Sequence, residues 1–325
     1  MSKISLNDIK KPIESELKEF ESHFRKSVES TVPLLDKIMH YIVQRKGKQV
    51  RPILIFLCAK MFGDINKATH DAASLVELLH TASLVHDDVI DDSNERRGFF
   101  SINALWKNKI AVIVGDYLLS KGLLLAVENE RYALLQIVSK AVKDLSEGEL
   151  LQMEKARKLD IKEDIYYEII RQKTASLIKA ACKAGATSVT QNKDQLNKVA
   201  DFGENIGMAF QLKDDLFDFG DDVIGKPKGI DIKEKKMTLP LIYALNKADN
   251  KTKKKFLNYI KRDSENPRKV KEIIEYVRGS GGMEYAHDKM MEYRKKAEDI
   301  LSTLPENEPR AALFDLVAFV TERKK

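Results

Sequence analysis

The sequence predicts an all-α protein, and three observations lead to that class. Residues that favour helices dominate, glycine and proline are few (15 and 8 in 325 residues), and no segment alternates apolar and polar side chains as a half-buried strand does. The length suffices for one large core or for two domains, and length alone does not decide between them.

Two amphipathic helices are predicted within residues 1–46. Their apolar side chains recur at intervals of three and four residues, which places each set on one face of a helix. The first set is Leu17, Phe20, Phe24 and Val28, and the second is Leu34, Leu35, Ile38, Met39 and Ile42. We expect these helices to cover the core and to take no part in the chemistry.

The next helix begins with a pattern that suits an anion. Gly47 permits a turn, and Lys48 and Arg51 stand just before an apolar run that continues after Pro52. Exposed amides at a helix N-terminus, together with two cations, can bind an anion. Many helices begin with a single Lys or Arg, so this pattern carries weight only in combination with others.

Four aspartates then follow an apolar helical run in the segment LVHDDVIDDSNERRG, residues 84–98. Helix periodicity brings Asp91 beside Asp87 and Asp88, and such like-charged neighbours cost about 0.2 to 0.5 kcal/mol per pair. A bound cation would relieve that repulsion. Mg2+ fits best, because it is usually held by one or two carboxylates together with substrate phosphates.

Three further side chains near this motif are candidates for binding a phosphate. The guanidinium groups of Arg96 and Arg97 match phosphate oxygens bidentately. His80 lies about two helical turns before Asp87 and therefore shares its face. The alternative for His80 is a hydrogen-bonded core histidine. Zinc is disfavoured because the six histidines include no i, i+4 pair.

Long apolar helices follow the first motif. They are predicted over residues 103–129, 133–153 and 163–186. Gly115 in the first of them indicates close packing against a neighbour. The third carries Lys173 and Thr174 in mid-helix, and a lysine among apolar positions is costly unless it reaches solvent or meets an anion.

A second aspartate motif repeats the spacing of the first after another apolar run. It consists of Asp214, Asp215 and Asp218. A single motif of this kind would be equally consistent with a solvated acidic helix end, but two copies and several cations indicate a clamp for a diphosphate. Neither copy is a calcium loop, because the central Gly and the Glu at the twelfth position are missing.

A glycine-rich segment with several lysines follows the second motif. Lys226, Lys228, Lys235 and Lys236 lie in it, and the Walker A pattern is absent. We expect either a flexible loop that closes over a phosphate or an ordinary lysine-rich surface. Residues 239–325 are predicted to form further helices without chemistry of their own.

Composition excludes several classes of function. The net charge of +6 is spread thinly, without a basic patch interleaved with aromatics, so we expect no nucleic-acid binding. Lys251 to Lys255 would support at most a peripheral contact with anionic lipid. Cys58 and Cys182 are expected to be buried thiols. Without a signal peptide or a run approaching 18 apolar residues, we expect a cytoplasmic protein that does not span a membrane.

This ordered set of motifs resembles the all-trans polyprenyl diphosphate synthases. The resemblance runs nearly from end to end through GKQVRP, HTASLVHDDVIDDSNERRG, GDYLL, KTASL, FQLKDDLFDF and GKPKGIDIKEKKMTLPL. It implies a single domain over residues 1–325, an isoprenoid synthase helical bundle around a deep central cavity, and a homodimer. Residues 1–46 would be covering helices, residues 47–240 the catalytic helices and residues 241–325 the C-terminal helices.

The same resemblance implies a reaction and roles for the candidate residues. The chain would use Mg2+, three ions per active site, to condense an allylic diphosphate with isopentenyl diphosphate. The metal ligands would be Asp87, Asp88, Asp91, Asp214, Asp215 and Asp218. The allylic diphosphate would be bound by Arg96, Lys173, Lys226 and Lys236, with Thr174 and Gln211. Isopentenyl diphosphate would be bound by Lys48, Arg51, His80 and Arg97.

Catalysis in this scheme would depend on Asp87, Asp88, Asp91, Lys173 and Asp214. No enzyme nucleophile is required, in agreement with the absence of a Ser/His/Asp or Cys/His signature. Two positions depart from the family pattern. Lys213 stands where the family often has an apolar residue, and Phe99–Phe100–Ser101 replaces a basic residue, proline and threonine.

The residues beneath the first motif predict a long product. Ala82 and Ser83 are small, whereas bulky aromatics at these positions stop growth early in the family. Because each helical turn descends about 5.4 Å, comparable to an isoprene unit, we expect roughly six to ten units and a floor near residues 138–145. The starter would be farnesyl or geranylgeranyl diphosphate.

Three alternatives stay open. A short-chain geranylgeranyl diphosphate synthase would share every motif and differ only in the depth of the cavity. A regulatory subunit of a heteromeric synthase would typically lose aspartates from one motif, and both are intact here. A terpene cyclase would normally replace the second motif and would need no second diphosphate site.

Overall fold

The N-terminal segment is a succession of short helices. The computed structural model describes residues 5–45, 47–96, 98–220 and 229–323. The first of these ranges contains α1 (Leu6–Lys10), a 3-10 turn (Lys11–Ile13), α2 (Glu14–Ser27) and α3 (Pro33–Gln44). The two predicted amphipathic helices are α2 and α3. Leu17, Phe20 and Val28 of the first predicted stripe are buried.

Two helices at the centre, α4 (Val50–Lys60) and α5 (Lys67–Ile90), are buried over much of their length. Every residue from 52 to 59 is buried, so α4 has neighbours on all sides. α5 begins at a capping box, in which the Asn66 side chain accepts from the Thr69 N–H and the Thr69 hydroxyl accepts from the Asn66 N–H. This cap fixes the start of the helix that carries the first aspartate motif.

A hairpin and two long helices follow. β1 (Glu95–Arg96) pairs antiparallel with β2 (Phe99–Phe100), and then come α6 (Ile102–Glu128) and α7 (Tyr132–Lys158). Lys107 has a φ of 73° and interrupts the second turn of α6. The hairpin therefore connects the end of α5 to the start of α6.

α5 and α6 lie antiparallel and in close contact. A Cβ on Gly115 would lie 2.1 Å from Nε2 of His86, and a Cβ on Gly122 would lie 3.3 Å from Cδ1 of Leu75. Residues later in α6 therefore contact residues earlier in α5, as expected for antiparallel helices. The close packing predicted at Gly115 is confirmed.

The helix predicted over residues 163–186 is present but is not uniformly α-helical. It consists of α8 (Glu163–Ile170), a π-helical turn (Arg171–Ala175) and α9 (Ser176–Thr187). In the π turn the N–H of Ser176 donates to the carbonyl of Arg171, five residues back. α10 (Lys193–Phe219) then carries the second aspartate motif.

The C-terminal part is helical, as predicted. Its elements are α11 (Ile230–Lys233), α12 (Leu239–Lys247), α13 (Asn250–Arg262), α14 (Pro267–Gly279), α15 (Gly282–Ser302) and α16 (Glu308–Glu322). α15 packs along α10, and α16 contacts α1, α4 and α10. The first and last helices of the chain are therefore neighbours.

Buried apolar side chains form three clusters. The largest centres on α4, α5, α9 and α16, the second on α8, α10 and α12 to α15, and the third on α3, α5 and α6. Cys58 and Cys182 are free thiols within the first cluster, as predicted, and burial together with the neighbouring Cys182 raises the pKa of Cys58. In the described ranges β1 and β2 are the only strands, and the all-α class is confirmed.

One feature of α6 departs from expectation. Over an 18-residue window its mean hydropathy is 1.9, with 33% of the window buried, so by length and composition alone this helix could cross a membrane. The expectation that no run approaches 18 apolar residues did not anticipate this hydropathy, although Asp116 and Lys121 interrupt the apolar residues of α6. A core helix of a soluble protein passes the same test, and α6 packs one face along α5.

Gly185→Ala is expected to destabilise the bundle, because α9 passes very close to α4. A Cβ on Gly185 would lie 2.2 Å from the carbonyl oxygen of Ile55, an atom that cannot move without its helix. We expect the free energy of unfolding to fall by about 1 to 3 kcal/mol. Thermal denaturation followed by circular dichroism measures the change. Gly279→Ala, with no atom within 4 Å of its Cβ, is the control, and equal melting temperatures would contradict the close approach.

Candidate active site

The first aspartate motif lies where α5 ends. Asp91 caps the helix, and its N–H donates to the Asp87 carbonyl at 2.8 Å. Asp88 is buried, Asp87 is half-buried, and Asp91 and Asp92 are exposed. Helix geometry keeps Asp87 and Asp91 on neighbouring turns of one face, as the spacing predicted.

The surroundings of this motif disfavour negative charge. Burial raises the pKa of Asp87 to about 6, and the carboxylates of Glu149 and Asp91 add to the rise while the charges of Lys173 and Arg96 oppose it. Burial also raises the pKa of Asp88, against the guanidinium of Arg96. A cation bound here would favour the ionised carboxylates.

Arg96 reaches back from the hairpin to the first motif. Its Nε donates to Oδ1 of Asp88 at 2.7 Å. A charge-assisted bond to a buried carboxylate fixes both partners. Arg97, the second predicted arginine, lies outside the described residues.

Aromatic contacts anchor the hairpin to α3. The Tyr41 hydroxyl donates to the Phe100 carbonyl at 2.6 Å, and the Arg45 guanidinium lies 4.7 Å from the centre of the Phe99 ring. The two phenylalanines that depart from the family pattern thus belong to the anchor of the strand pair that carries Arg96.

The π turn presents Lys173 and Thr174 to the same cleft. Lys173 forms an ion pair with Glu149 of α7, and its charge acts on Asp87. The Thr174 hydroxyl donates to Oε1 of Gln211 at 2.7 Å. The lysine predicted among apolar positions is therefore accounted for by carboxylate partners.

Asp215 of the second motif is buried, and both of its carboxylate oxygens accept hydrogen bonds. Nε2 of Gln211 donates to Oδ1 at 2.8 Å, and the hydroxyl of Tyr166 donates to Oδ2 at 2.5 Å. Burial raises the pKa of Asp215, and the neighbouring Asp231 raises it further. Through these bonds Asp215 ties α10 to α8.

Asp218 is engaged with the backbone. Its Oδ1 accepts from the N–H of Ile230 at 2.9 Å, at the start of α11. Burial raises the pKa of Asp218, although hydrogen bonds from nearby backbone N–H groups oppose the rise. This aspartate therefore holds in place the segment that begins at Gly229.

Asp214 pairs with a residue that the sequence did not single out. The guanidinium of Arg323, just after α16, donates to Oδ1 of Asp214 at 2.5 Å and lies 4.3 Å from the centre of the Phe210 ring. Burial lowers the pKa of Lys48, and the positive charge of Arg323 lowers it further against the effect of Asp214. Lys48, Asp214 and Arg323 therefore share one region. In the sequence Arg323 belongs to a short basic run, too common a feature to indicate a role.

Arg51 and His80 lie on the helices that flank the cleft. Arg51 is in the first turn of α4, and His80 lies on α5 two turns before Asp87. Both side chains are half-buried. That Arg51 and His80 form one anion site with Lys48 stays a prediction.

One cavity of about 130 Å³ gathers five of the predicted residues. They are Lys173, Thr174, Gln211, Asp215 and Lys236. Ile169, Ile170 and Met237 also line the cavity and give it apolar walls. The π turn, α10 and the segment after α11 thus contribute to a single site. Lys226, a further predicted member, lies outside the described residues.

Lys236 connects the two motifs electrostatically. Burial alone would lower its pKa, but the carboxylates of Glu234, Asp231 and Asp91 outweigh burial and the pKa is raised. Asp91 belongs to the first motif, whereas the cavity that Lys236 lines also contains Asp215 of the second. Lys236 therefore lines a cavity with Asp215 of the second motif and is close enough to Asp91 of the first for the two charges to interact.

A larger cavity, of about 470 Å³, lies at the opposite end of α5. Asn66 and His70 line it, and His70 is about 25 Å from Asp87 along the helix axis. No residue of either aspartate motif lines this cavity. Volume alone therefore does not identify the site.

The carboxylates suit Mg2+ ions that are bound jointly by the protein and by a phosphate-bearing substrate. Among the side chains that the structure describes, no group of three or more His, Cys, Asp or Glu is arranged to hold a metal ion by itself. Mg2+ usually takes one or two carboxylates and completes its octahedron with water and phosphate oxygens. Asp87 and Asp91 on one side and Asp214 on the other meet that requirement, although Asp214 pairs with Arg323. Both carboxylate oxygens of Asp215 and one of Asp218 accept hydrogen bonds from the protein.

Comparison with known proteins gives a consistent result. The family model described as "Polyprenyl synthetase" matches residues 32–277. An all-trans-nonaprenyl-diphosphate synthase (geranyl-diphosphate specific) of Rhodobacter capsulatus is 33% identical, with 97% of each chain covered. A short chain isoprenyl diphosphate synthase of Methanothermobacter thermautotrophicus is 35% identical, with 94% of this chain and 95% of the relative covered.

A solved structure is similar over the whole length. The crystal structure of a decaprenyl diphosphate synthase from Rhodobacter capsulatus superposes with a TM-score of 0.94 at 31% identity, covering 99% of this chain and 100% of the other. The helical bundle described above is therefore that of the isoprenoid synthases, as the resemblance implied.

Asp87→Asn is expected to stabilise the metal-free protein. A folded-state pKa of about 6, against an ordinary 3.8, means that the folded state disfavours the ionised form. For a carboxyl group with a raised pKa, the contribution to stability is fully present below 3.8 and is lost as the pH rises through about 6. With a chelator present, the variant should melt above the parent protein at a pH well above 6.

The difference should shrink towards zero as the pH approaches 3.8. Asp92→Asn changes an exposed aspartate of the same motif and serves as the control. Melting temperatures measured by differential scanning fluorimetry across this range decide the matter. If Asp87→Asn melts at or below the parent at high pH, burial does not dominate at this carboxylate.

Proposed function

The chain belongs to the polyprenyl synthetase family, and we propose that it condenses an allylic diphosphate with successive isopentenyl diphosphates to give a long-chain all-trans polyprenyl diphosphate. One observation carries the proposal: carboxylates of the two motifs are paired with cations from other elements. Asp88 pairs with Arg96, Asp214 pairs with Arg323, and Lys236 lines a cavity with Asp215 while its charge interacts with Asp91.

These pairs support an assignment of the allylic diphosphate to the cleft beside them. The charges of Arg96 and Lys173 act on Asp87 of the first motif, and Lys236 interacts with Asp91 and lines a cavity with Asp215. The oxygens of a diphosphate would pair with these cations in place of the carboxylates. Metal ions would then neutralise the carboxylates. Thr174 and Gln211 add uncharged polar groups on the wall of the same cavity.

The second diphosphate, that of isopentenyl diphosphate, is assigned to the cations near α4. Lys48, Arg51 and His80 were predicted for it, together with Arg97, and we add Arg323 because its charge acts on Lys48. The mutual repulsion of Lys48 and Arg323 would be relieved by an anion bound between them. The two substrates would then approach from different sides of Asp214.

Metal binding is assigned to Asp87, Asp91 and Asp214, with three Mg2+ ions per site as the family resemblance implies. Bound Mg2+ would supply neutralisation of the charge on the leaving diphosphate. Lys173 and Arg96 contribute fixed positive charge to the same end. Asp88 would orient Arg96, and Asp215 would hold Gln211 through the hydrogen bond already described.

The reaction needs no nucleophile from the protein. The allylic C–O bond ionises to a delocalised carbocation, the double bond of isopentenyl diphosphate attacks it, and the proton is lost to the released diphosphate. A carbocation in contact with water would be trapped as an alcohol. The apolar side chains of Ile169, Ile170 and Met237 on the cavity wall exclude water from this step.

The decisive experiment is a product analysis. The purified protein is incubated with Mg2+, farnesyl diphosphate and labelled isopentenyl diphosphate, and the products are resolved by length. A ladder that ends in a long polyprenyl diphosphate is expected. A single added unit would support the geranylgeranyl alternative, and no incorporation with a range of starters by a folded protein would contradict the proposed activity.

The side chains of α5 beneath the first motif bear on the length of the product. Ser83 is half-buried one turn before Asp87, and its hydroxyl donates to the His80 carbonyl at 2.8 Å. Ala82 is buried in the cluster that packs α5 against α6. Ser83 is therefore the small residue beneath the first motif, and the lack of a bulky side chain there supports a long chain. The relatives include both long-chain and short-chain synthases.

Ser83→Phe is expected to shorten the product. A phenyl ring one turn below Asp87 would occupy the space of the growing chain about 5.4 Å beneath the metal ligands. Product length by reversed-phase chromatography measures the effect. Ser302→Phe, at an exposed position of α15, is the control. An unchanged ladder from the Ser83 variant would mean that the chain grows along another face.

We also propose that the protein is a homodimer that pairs through α6. The outer face of this helix exposes Leu105, Val112, Ile113, Leu123, Leu124 and Val127. Tyr132, 62% exposed at the start of α7, continues that face. Apolar surface of this extent is unfavourable in water, and a second copy related by a twofold axis would cover it. The two intact aspartate motifs favour this arrangement over a regulatory subunit.

Ile113→Glu is expected to convert the dimer into monomers, because Ile113 is 62% exposed on the outer face of α6. A carboxylate desolvated at the centre of an apolar interface opposes association. Light scattering after size exclusion gives the mass. Met291→Glu, on the remote helix α15, is the control. A parent protein that is monomeric at all concentrations would contradict the proposal and favour a different partner for this face.

A further inference from the structure

The π turn that carries Lys173 and Thr174 is approached very closely from α7. Gly148 is buried, and a Cβ at this position would lie 2.8 Å from Cβ of Gln172 and 3.0 Å from the backbone N of Lys173. Real Cβ atoms essentially never come within 3.0 Å of another heavy atom, so the contact with Gln172 would force a shift. Any side chain at residue 148 would therefore push α7 and the π turn apart.

A second glycine stands on the opposite helix. On α10, a Cβ at Gly207 would lie 2.6 Å from Cα and 2.9 Å from Cβ of Ala175. Cα is a main-chain atom and cannot rotate out of the way. The π turn is thus enclosed by two helices that reach its main chain only because neither has a side chain at the point of contact.

The residues next to Lys173 are also fixed. Nε2 of Gln172 donates to Oε1 of Glu168 at 2.7 Å, and the Ser176 hydroxyl donates to the Gln172 carbonyl at 2.5 Å. Glu149, which follows Gly148 in α7, forms the ion pair with Lys173. The distance between α7 and the π turn therefore sets both the backbone position of Lys173 and the direction of its side chain.

We propose that Gly148 and Gly207 are positioning residues for the allylic diphosphate. They allow α7 and α10 to hold the π turn from both sides, so that Lys173 and Thr174 point into the cavity. π-helical turns are rare and are frequently found at functional sites. The inference rests on the proposed function of the cleft, and it assigns a role to two residues that do not themselves contact substrate.

The proposal makes the two diphosphate sites separable. Lys173 and Thr174 move with the π turn, whereas Lys48 and Arg51 stand at the start of α4. A displaced π turn should therefore weaken binding of the allylic diphosphate and leave that of isopentenyl diphosphate nearly unchanged. Misplacement by about 1 Å can reduce a rate by about 10²-fold.

The test compares Gly148→Ala and Gly207→Ala with Gly203→Ala. Gly203 lies one turn before Gly207 on α10, and its Cβ would meet Cα of Lys179 at 2.8 Å, a comparable conflict with α9 beyond the π turn. We expect the first two variants to raise the KM for the allylic diphosphate by about tenfold or more. Gly203→Ala should lower the melting temperature without altering the ratio of the two KM values.

A double variant tests the mechanism of the effect. In a Lys173→Ala background, Gly148→Ala should cause little further change in the KM for the allylic diphosphate, because both act through the same contact. Additive effects would overturn the proposal, as would parallel increases in both KM values or an equal effect of Gly203→Ala. If Gly207→Ala does not fold, the KM values of Gly148→Ala decide between these outcomes. The conflict at Gly148 is partly with the side chain of Gln172.

The parent protein is measured first under the same conditions. Failure of the parent to incorporate isopentenyl diphosphate would overturn the proposed function itself. Incorporation by the parent, with unchanged KM values in both Gly148→Ala and Gly207→Ala, would overturn only the role of the glycines.

Discussion

Desolvated carboxylates are the constraint on which the cleft depends. Burial raises the pKa of Asp87, Asp88 and Asp215, so each carboxylate needs a cation or several hydrogen-bond donors nearby. The partners come from separate parts of the chain: Arg96 from the hairpin and Tyr166 from α8. Because no single element could satisfy the motifs, the helices must be brought together in one arrangement.

Close helix packing supplies the precision that charge pairing lacks. Ion pairs between flexible side chains tolerate shifts, but main-chain contacts do not. α9 meets the main chain of α4 at Gly185, and α10 meets the main chain of the π turn at Gly207, while Gly115 of α6 leaves room for the His86 ring of α5. Each contact fixes the separation of two helices that carry or support the cleft. The charged residues therefore lie on helices whose separations are set at points where a glycine leaves no side chain in the contact.

Local patterns predicted much of this protein, and the limit of prediction is physical. Periodicity located the helices, and the spacing of Asp87 and Asp91 placed them on one face, because both follow from helix geometry alone. The partners Glu149, Tyr166 and Arg323 could not be predicted, since they meet the motifs only after distant segments have packed. No local pattern predicts the π turn at residues 171–175, because this turn depends on its neighbours in α7 and α10.

The position of α16 has a consequence for how the chain folds. This helix contacts α1, α4 and α10, and the bond between Asp214 and Arg323 spans 109 residues. During synthesis, α4 and its apolar surface emerge long before the helix that covers them. Loop closure over such separations is slow, and exposed apolar helices are prone to associate. The contacts that α16 makes with α1, α4 and α10 can therefore form only after nearly the whole chain has been synthesised.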